Sequence, residues 1–399
     1  MRLFEPISLG GVTIPNRIVK SAMAEGQSDA SGQALPGLAR MYGRWARGGV
    51  GLAITGMAHI RPGFSFTDRE IGLYRDANVE PLRAVTAAAH EHGGRIFAQL
   101  CHAPPQLPRA KAKELGAVAP SGGLCRTNLR WGRALTGDEL RRLAKDFGAA
   151  ARRAREAGFD GVQLHAAHGY LLSRMLSPRD NRRTDRWGGS FEGRLAFLSE
   201  VYSEVRRAVG DDYPIIIKLN AHDGLRGGLD IETSLRIARR LEEWGIAAIE
   251  VSAGIAEVGL GFFPNRGSIP VESSKEYLGV EFPFLRPVKP VLGPIIRGLS
   301  RSVRLREEAY FAPLAERFAR AVSVPVICVG GIRTLATASR LVEDTPVAMV
   351  SLARPLVRQP GLPRAWQRGE SPTAQCTSCN ECFVHLGFGQ PLKCWNKTA

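Results

Sequence analysis

Residues 136–170 read TGDELRRLAKDFGAAARRAREAGFDGVQLHAAHGY. Up to residue 157 the apolar positions recur at helical spacing. Thr136 stands before an acidic first turn as an N-cap, and Gly158 follows the last helical residue as a C-cap requires. At 161–165 the pattern changes to GVQLH, a short β-rich run of the kind that forms a parallel strand buried on both faces. A helix that leads directly into such a strand is the repeating unit of an α/β layer structure.

The same alternation extends in both directions. Further strand-like runs lie at 17–21 (RIVKS), 50–55 (VGLAIT), 95–100 (RIFAQL), 214–219 (PIIIKL), 248–252 (AIEVS), 325–329 (PVICV) and 347–352 (VAMVSL). Helical patterns lie at 38–48, 81–92, 192–208, 231–244, 307–321 and 335–342, with Gly245 closing the fourth of these. Eight alternations predict a closed (β/α)8 barrel of the TIM type. An open doubly wound sheet is the rival, but no GxGxxG follows the first strand. Residues 3–13 read as a hairpin around Gly10 and Gly11, placed to cap the barrel bottom. Two connections, 101–136 and 253–305, are long and follow strands, which puts them on the catalytic face. The expected organisation is a barrel over 1–369 and a small cysteine-containing tail over 370–399.

Composition narrows the function classes. The chain has 399 residues, 44% hydrophobic and 23% charged, close to the globular average. It has no apolar run long enough to span a membrane and no charged-then-apolar leader, so a cytoplasmic protein is expected. The net charge of +16 comes from 54 basic against 38 acidic residues. They are dispersed, with RGLSRSVRLR at 297–306 the densest patch, and no nucleic-acid module accompanies them. A small-molecule substrate fits better than a nucleic acid or a membrane.

Strand ends carry the chemistry of a barrel. HAAHGY at 165–170 sets His165 and His168 three residues apart, with Tyr170 two further on. No third metal ligand stands at suitable spacing. Two neutral imidazoles can bind an oxygen on which charge develops, and Tyr170 can deliver a proton. Lys218 lies inside an apolar strand, so it needs a charged partner or a shifted pKa. Near a flavin it would face the pyrimidine edge and stabilise the reduced anion, and without a cofactor its burial is hard to account for. Gln99 can hydrogen-bond the same ring. Gly330 and Gly331 after the seventh strand, and Arg354 after the eighth, stand where barrels bind phosphate.

Three stretches, HAAHGYLLSRMLSPRDNRRTDRWGGSFEGR at 165–194, FAQLCH at 97–102 and VPVICVGGIR at 324–333, together carry a resemblance. The chain resembles the old yellow enzyme family, from LFEPISLGGVTIPNRIVKSAM at 3–23 to VSLARPLVRQP at 350–360. The resemblance implies FMN held noncovalently at the barrel mouth, NADH or NADPH as reductant, and hydride transfer to an activated alkene. It implies that His165 and His168 hold the substrate's electron-withdrawing group and that Tyr170 protonates the α-carbon. Ala22, Met23 and Gly56 match flavin-contacting backbone positions, and Gln99 matches the pyrimidine contact. Gly330, Gly331, Ala353 and Arg354 match the phosphate site, while Arg194 matches a structural or substrate-loop position. Two departures stand out. Lys218 replaces an Arg common in ene-reductases, and Ala24 replaces a flavin-tuning Cys of some members. Side-by-side association of barrels is common in the family, and nothing in the sequence specifies a homo-oligomer.

The tail holds four of the seven cysteines: Cys376, Cys379, Cys382 and Cys394. Their spacing suits a 4Fe-4S cluster, but four thiolates serve zinc equally well, and thiols also occur unligated. The segment resembles the cluster-binding segment of 2,4-dienoyl-CoA reductase and trimethylamine dehydrogenase, from the larger branch of the family. There a nucleotide-binding region follows, whereas this sequence ends at Ala399. A cluster here is therefore expected to serve an external electron-transfer partner. That leaves an ene-reductase as the leading expectation. The alternatives are an FMN/iron-sulfur dehydrogenase or demethylase-like enzyme, and a barrel that has lost flavin.

Overall fold

The structure is a computed structural model that describes residues 1–64, 67–103, 107, 109–125, 130–255, 287, 294 and 307–396. Two short strands, β1 (Ile7–Leu9) and β2 (Val12–Ile14), pair antiparallel as the opening hairpin. The turn needs φ of +53° at Gly10 and +87° at Gly11, conformations glycine adopts without steric cost. The chain then enters the barrel through β3 (Ile18–Lys20), β4 (Leu52–His59) and β5 (Arg95–Cys101). An excursion follows, containing β6 (Val118–Ala119), β7 (Gly123–Cys125) and β8 (Arg130–Ala134) as a separate sheet. The barrel resumes with β9 (Gly161–Ala166), β10 (Ile215–Asn220), β11 (Ala248–Ser252), β12 (Val326–Val329) and β13 (Met349–Leu352).

The eight barrel strands close in the order β10-β11-β12-β13-β3-β4-β5-β9, every neighbour parallel. The (β/α)8 expectation holds, and each predicted strand lies within a few residues of its observed bounds. The small sheet at β6–β8 and the short helix Arg109–Glu114 were not foreseen. The helix expected over 307–321 begins later, at Ala312–Ala321. Ala309 takes a φ of +49°, which breaks the helical path, and Pro313 then sits in the first turn, where a missing N–H costs nothing. Most of the 253–305 connection and all of the basic patch at 297–306 lie outside the described residues.

The interior is layered. Leu9 and Ile14 of the hairpin pack with Val19, Leu52, Phe97, Ile216, Ala248 and Met349, so the hairpin plugs the bottom of the barrel. Side chains two residues apart on a strand share a face. One step above Val19, Phe97, Ile216, Ala248 and Met349 therefore come Ser21, Gln99, Lys218, Glu250 and Ser351. The apolar plug gives way to a polar floor. Outside, the helices bury their apolar stripes against the strands. Thr136 caps Gly137–Glu156 with a full capping box to Glu139, as its sequence predicts.

The tail packs on the barrel. Leu335 N–H donates to the Pro372 carbonyl at 2.8 Å and Ala374 N–H to that of Arg333 at 2.7 Å. Leu392 N–H reaches back to the Glu25 carbonyl at 2.7 Å, so the tail touches the loop after β3. Among the described residues, no helix is long and apolar enough to cross a membrane.

Candidate active site

The polar floor is built around one carboxylate. Glu250, on β11, has no solvent exposure. Its Oε1 accepts from Lys218 Nζ at 3.0 Å, Ser21 Oγ at 2.9 Å and Ser351 Oγ at 2.8 Å. Its Oε2 accepts from Gln163 Nε2 at 2.9 Å. Gln99 Nε2 in turn donates to Gln163 Oε1 at 2.7 Å. Burial pushes the Glu250 carboxyl upward. The Lys218 ammonium and the hydrogen bonds outweigh that effect and hold it below the usual carboxylate range. This corrects one expectation. Lys218 does not depend on a cofactor to account for its burial, because a protein carboxylate already faces it.

Above the floor stand the histidines and the tyrosine. His165 ends β9, and its ring lies 5.1 Å from that of His168 and 4.7 Å from that of Tyr170, both edge-on. The Ala167 N–H donates to His165 Nδ1 at 3.4 Å, which leaves the ring proton on Nε2. His168 takes a φ of +64°, is anchored by its N–H to Asn220 Oδ1 at 3.3 Å, and pairs Nε2 with Ser252 Oγ at 2.8 Å. A left-handed backbone at a non-glycine residue is strained and is sustained here by its neighbours. His168 and Tyr170 keep an edge accessible, yet burial is the largest influence on both. It pushes His168 down to about 3, with Lys218 adding repulsion, and the Tyr170 hydroxyl far above its ordinary value. Burial, His168, Lys218 and His59 push His165 well down.

Next to this group lie His59 and Glu70, which the sequence reading did not single out, and His102, which closes the FAQLCH stretch. His59 Nε2 meets Glu70 Oε2 at 2.5 Å, both side chains almost fully buried. His102 is buried too, and burial with Arg61 and His59 nearby pushes it well below its usual range. The depressed His165, His168 and His102 rings carry a stability consequence. An imidazole that stays neutral when folded but protonates when unfolded costs stability as pH falls below about 6.5. His165, His168 and His102 together are expected to remove roughly 4 kcal/mol between pH 7 and 5.5, read by urea unfolding. A flat profile over that window would show that the rings protonate in the folded protein.

The remaining predicted positions fall around the mouth. Gly56 sits at the irregularity where the β4–β5 register shifts between Ile54 and Met57. A Cβ there would come within 2.7 Å of the Met23 carbonyl and 2.9 Å of Ala24 Cα, so only glycine lets the segment after β3 pass. Ala22 and Met23 are half-buried in that segment. Gly330 and Gly331 take φ of +114° and +76° at the end of β12, with the rings of Tyr310 and Phe311 laid against them. Ala353 precedes the helix Arg354–Arg358, and Arg354 Nη1 donates to Asn380 Oδ1 at 2.5 Å. Arg194 donates to the Gly189 carbonyl at 3.0 Å, a local helix-end contact.

Asn380 lies between Cys379 and Cys382. Cys376, Cys379, Cys382 and Cys394 line a single pocket with Arg354, Arg358 and Trp395. Among the described residues, no group of three or more His, Cys, Asp or Glu is close enough to hold a single metal ion. The structure thus gathers the four thiols around a space without drawing them onto one point.

A cation and an amide on the barrel floor, a glycine pair and an arginine at the ends of β12 and β13, and backbone alone at Gly56 form a donor set suited to a flavin mononucleotide. The family model for NADH:flavin oxidoreductase / NADH oxidase matches residues 2–259. The chain belongs to this family. An NADH oxidase from Thermoanaerobacter brockii is 33% identical over 95% of the chain, which spans 52% of that protein. A 4,4'-dithiodibutanoate disulfide reductase from Rhodococcus erythropolis is 32% identical over 97% of the chain and 93% of its own length. Among solved structures, 2-naphthoyl-CoA reductase with 2-naphthoyl-CoA matches with a TM-score of 0.82 at 22% identity, covering 98% of this chain and 56% of that one. The old yellow enzyme homologue from Zymomonas mobilis matches with a TM-score of 0.72 at 24% identity, covering 95% and 96%. The chain therefore spans about half the length of some relatives and nearly all of others. The fold of this FMN oxidoreductase family member is that of old yellow enzyme.

Proposed function

We propose that this oxidoreductase uses NADH or NADPH to reduce a C=C bond conjugated to a carbonyl-type group. The observation that carries the reading is the edge-on grouping of His165, His168 and Tyr170 above the buried Gln99 and Lys218. Bound FMN supplies the hydride. Lys218 and Gln99 meet its pyrimidine edge, Gly330, Gly331, Ala353 and Arg354 hold its phosphate, and Ala22, Met23 and Gly56 pass along it. The neutral His165 donates from Nε2 to the substrate oxygen, with His168 beside it, so negative charge that develops there is stabilised without a proton being lost to it. Burial keeps the Tyr170 hydroxyl protonated at neutral pH, as a general acid requires. A disulfide is the second substrate class to assay, since the Rhodococcus relative named for one is matched over 93% of its length.

For the tail unit over 370–399, the reading is a 4Fe-4S cluster on Cys376, Cys379, Cys382 and Cys394. The pocket lined by all four thiols supports one shared site, and the Cys-x2-Cys-x2-Cys-x11-Cys spacing suits a cluster. Protein purified without oxygen is expected to show flavin absorption over a broad shoulder, with about four irons and matching acid-labile sulfide per chain. Stoichiometric zinc without iron would remove the cluster and leave the reductase. Colourless protein that takes up no added FMN would remove the reductase itself.

A further inference from the structure

A carboxylate accepts hydrogen bonds and cannot donate them. The effect of Glu250 extends two hydrogen bonds away. Glu250 has four donors on its two oxygens, and one of them is the Gln163 carboxamide. Gln163 must turn its NH2 group to Glu250, which leaves its oxygen facing Gln99. Gln99 must then turn its own NH2 to Gln163, at 2.7 Å. The Gln99 oxygen is consequently presented away from Gln163 as an acceptor. Gln163 is fully buried and Gln99 is 2% exposed, so water cannot stand in for either bond. A flip of Gln163 would set its oxygen against a carboxylate and its NH2 against another NH2.

We propose that Glu250 and Gln163 are positioning residues that orient Gln99, through this chain of bonds, to accept from the N3–H of the flavin pyrimidine ring. The same carboxylate fixes Lys218 Nζ at 3.0 Å, with Ser21 Oγ 3.1 Å from that nitrogen, so acceptor and cation are set by one group. A pyrimidine edge offers one N–H between two carbonyl oxygens. An acceptor at Gln99 beside a cation at Lys218 complements that pattern, and a Gln99 turned the other way would not. The register explains how a single residue reaches so far. Gln99 pairs with Gln163 across β5–β9, and Lys218 pairs with Glu250 across β10–β11. The inference rests on the reading of Gln99 and Lys218 as the pyrimidine contacts.

Gln163→Met is the informative variant, because it breaks the chain of bonds and leaves the Lys218–Glu250 pair intact. FMN binding to the apo-protein is read by quenching of flavin fluorescence, and the midpoint potential of bound flavin by dye-coupled titration. Gln163→Met is expected to weaken FMN about tenfold and to shift the potential. Gln99→Met is expected to do the same, and the double variant to add little, as members of one network behave. If Gln99→Met weakens FMN while Gln163→Met leaves it within about twofold, the orienting role is wrong. If neither weakens it, the pyrimidine reading fails and the inference falls with it. A second measurement needs no variant. In wild-type protein loaded with nitrogen-15 FMN, the N3–H resonance is expected downfield and protected from exchange with water. A freely exchanging N3–H would overturn the proposal.

Discussion

Tyr170→Phe is expected to slow reduction of the alkene by about 10²–10⁴-fold while NAD(P)H-driven bleaching of the flavin stays within about twofold. The substitution removes one hydroxyl and keeps the ring, so the contact with His165 at 4.7 Å between centroids survives. The two half-reactions are followed separately by stopped flow. The asymmetry is the diagnostic feature, because only the half that delivers a proton to carbon needs the hydroxyl. Burial raises the Tyr170 pKa, so wild-type activity should show no alkaline loss from this group below about pH 10. Equal losses in both halves would mean that Tyr170 shapes the pocket and does not protonate substrate.

Arg354→Ala is expected to weaken FMN by about 100-fold, enough for dialysis to strip the flavin. Arg354 is only 8% exposed and is the guanidinium at the end of β13, where the eighth strand of a barrel meets phosphate. The same side chain donates to Asn380, between two tail cysteines, so it ties the proposed phosphate position to the thiol pocket. If the tail holds the proposed cluster, loss of iron should accompany loss of flavin in this variant. Full retention of FMN after dialysis would place the phosphate elsewhere.

Much of this architecture was legible before any coordinates. Parallel strands buried on both faces read as short β-rich runs, and 248–252 matches β11 to the residue. Paired glycines marked the hairpin and the end of β12 for the same reason, a backbone other residues avoid. The three-stranded excursion was not legible. Its strands are two to five residues long and only partly buried, so no periodicity develops. Within the site, Lys218 drew attention as a charge inside an apolar run. Glu250 in AIEVS met the same criterion and was passed over. What could not be read at all was that the two are partners, since β10–β11 register sets Lys218 opposite Glu250 only once the strands are aligned. The Gln99–Gln163 pair was hidden for the same reason. The four tail cysteines were legible as a set, while their proximity to Arg354 depended on how the tail folds back.

The wide sequence span of the Glu250 contacts bears on how the barrel assembles. Its donors include Ser21, 229 residues upstream, and Ser351, 101 residues downstream. The β13–β3 seam that brings those serines together joins the two ends of the barrel, with Arg17 Nη1 on the Ala348 carbonyl across 331 residues. Until that seam closes, the carboxylate lacks the serine donors it has in the native barrel and must rely on water. Contacts of this separation also form slowly. Glu250 therefore has its full set of protein partners only in the closed barrel, where it ties the first strand of the barrel to the last.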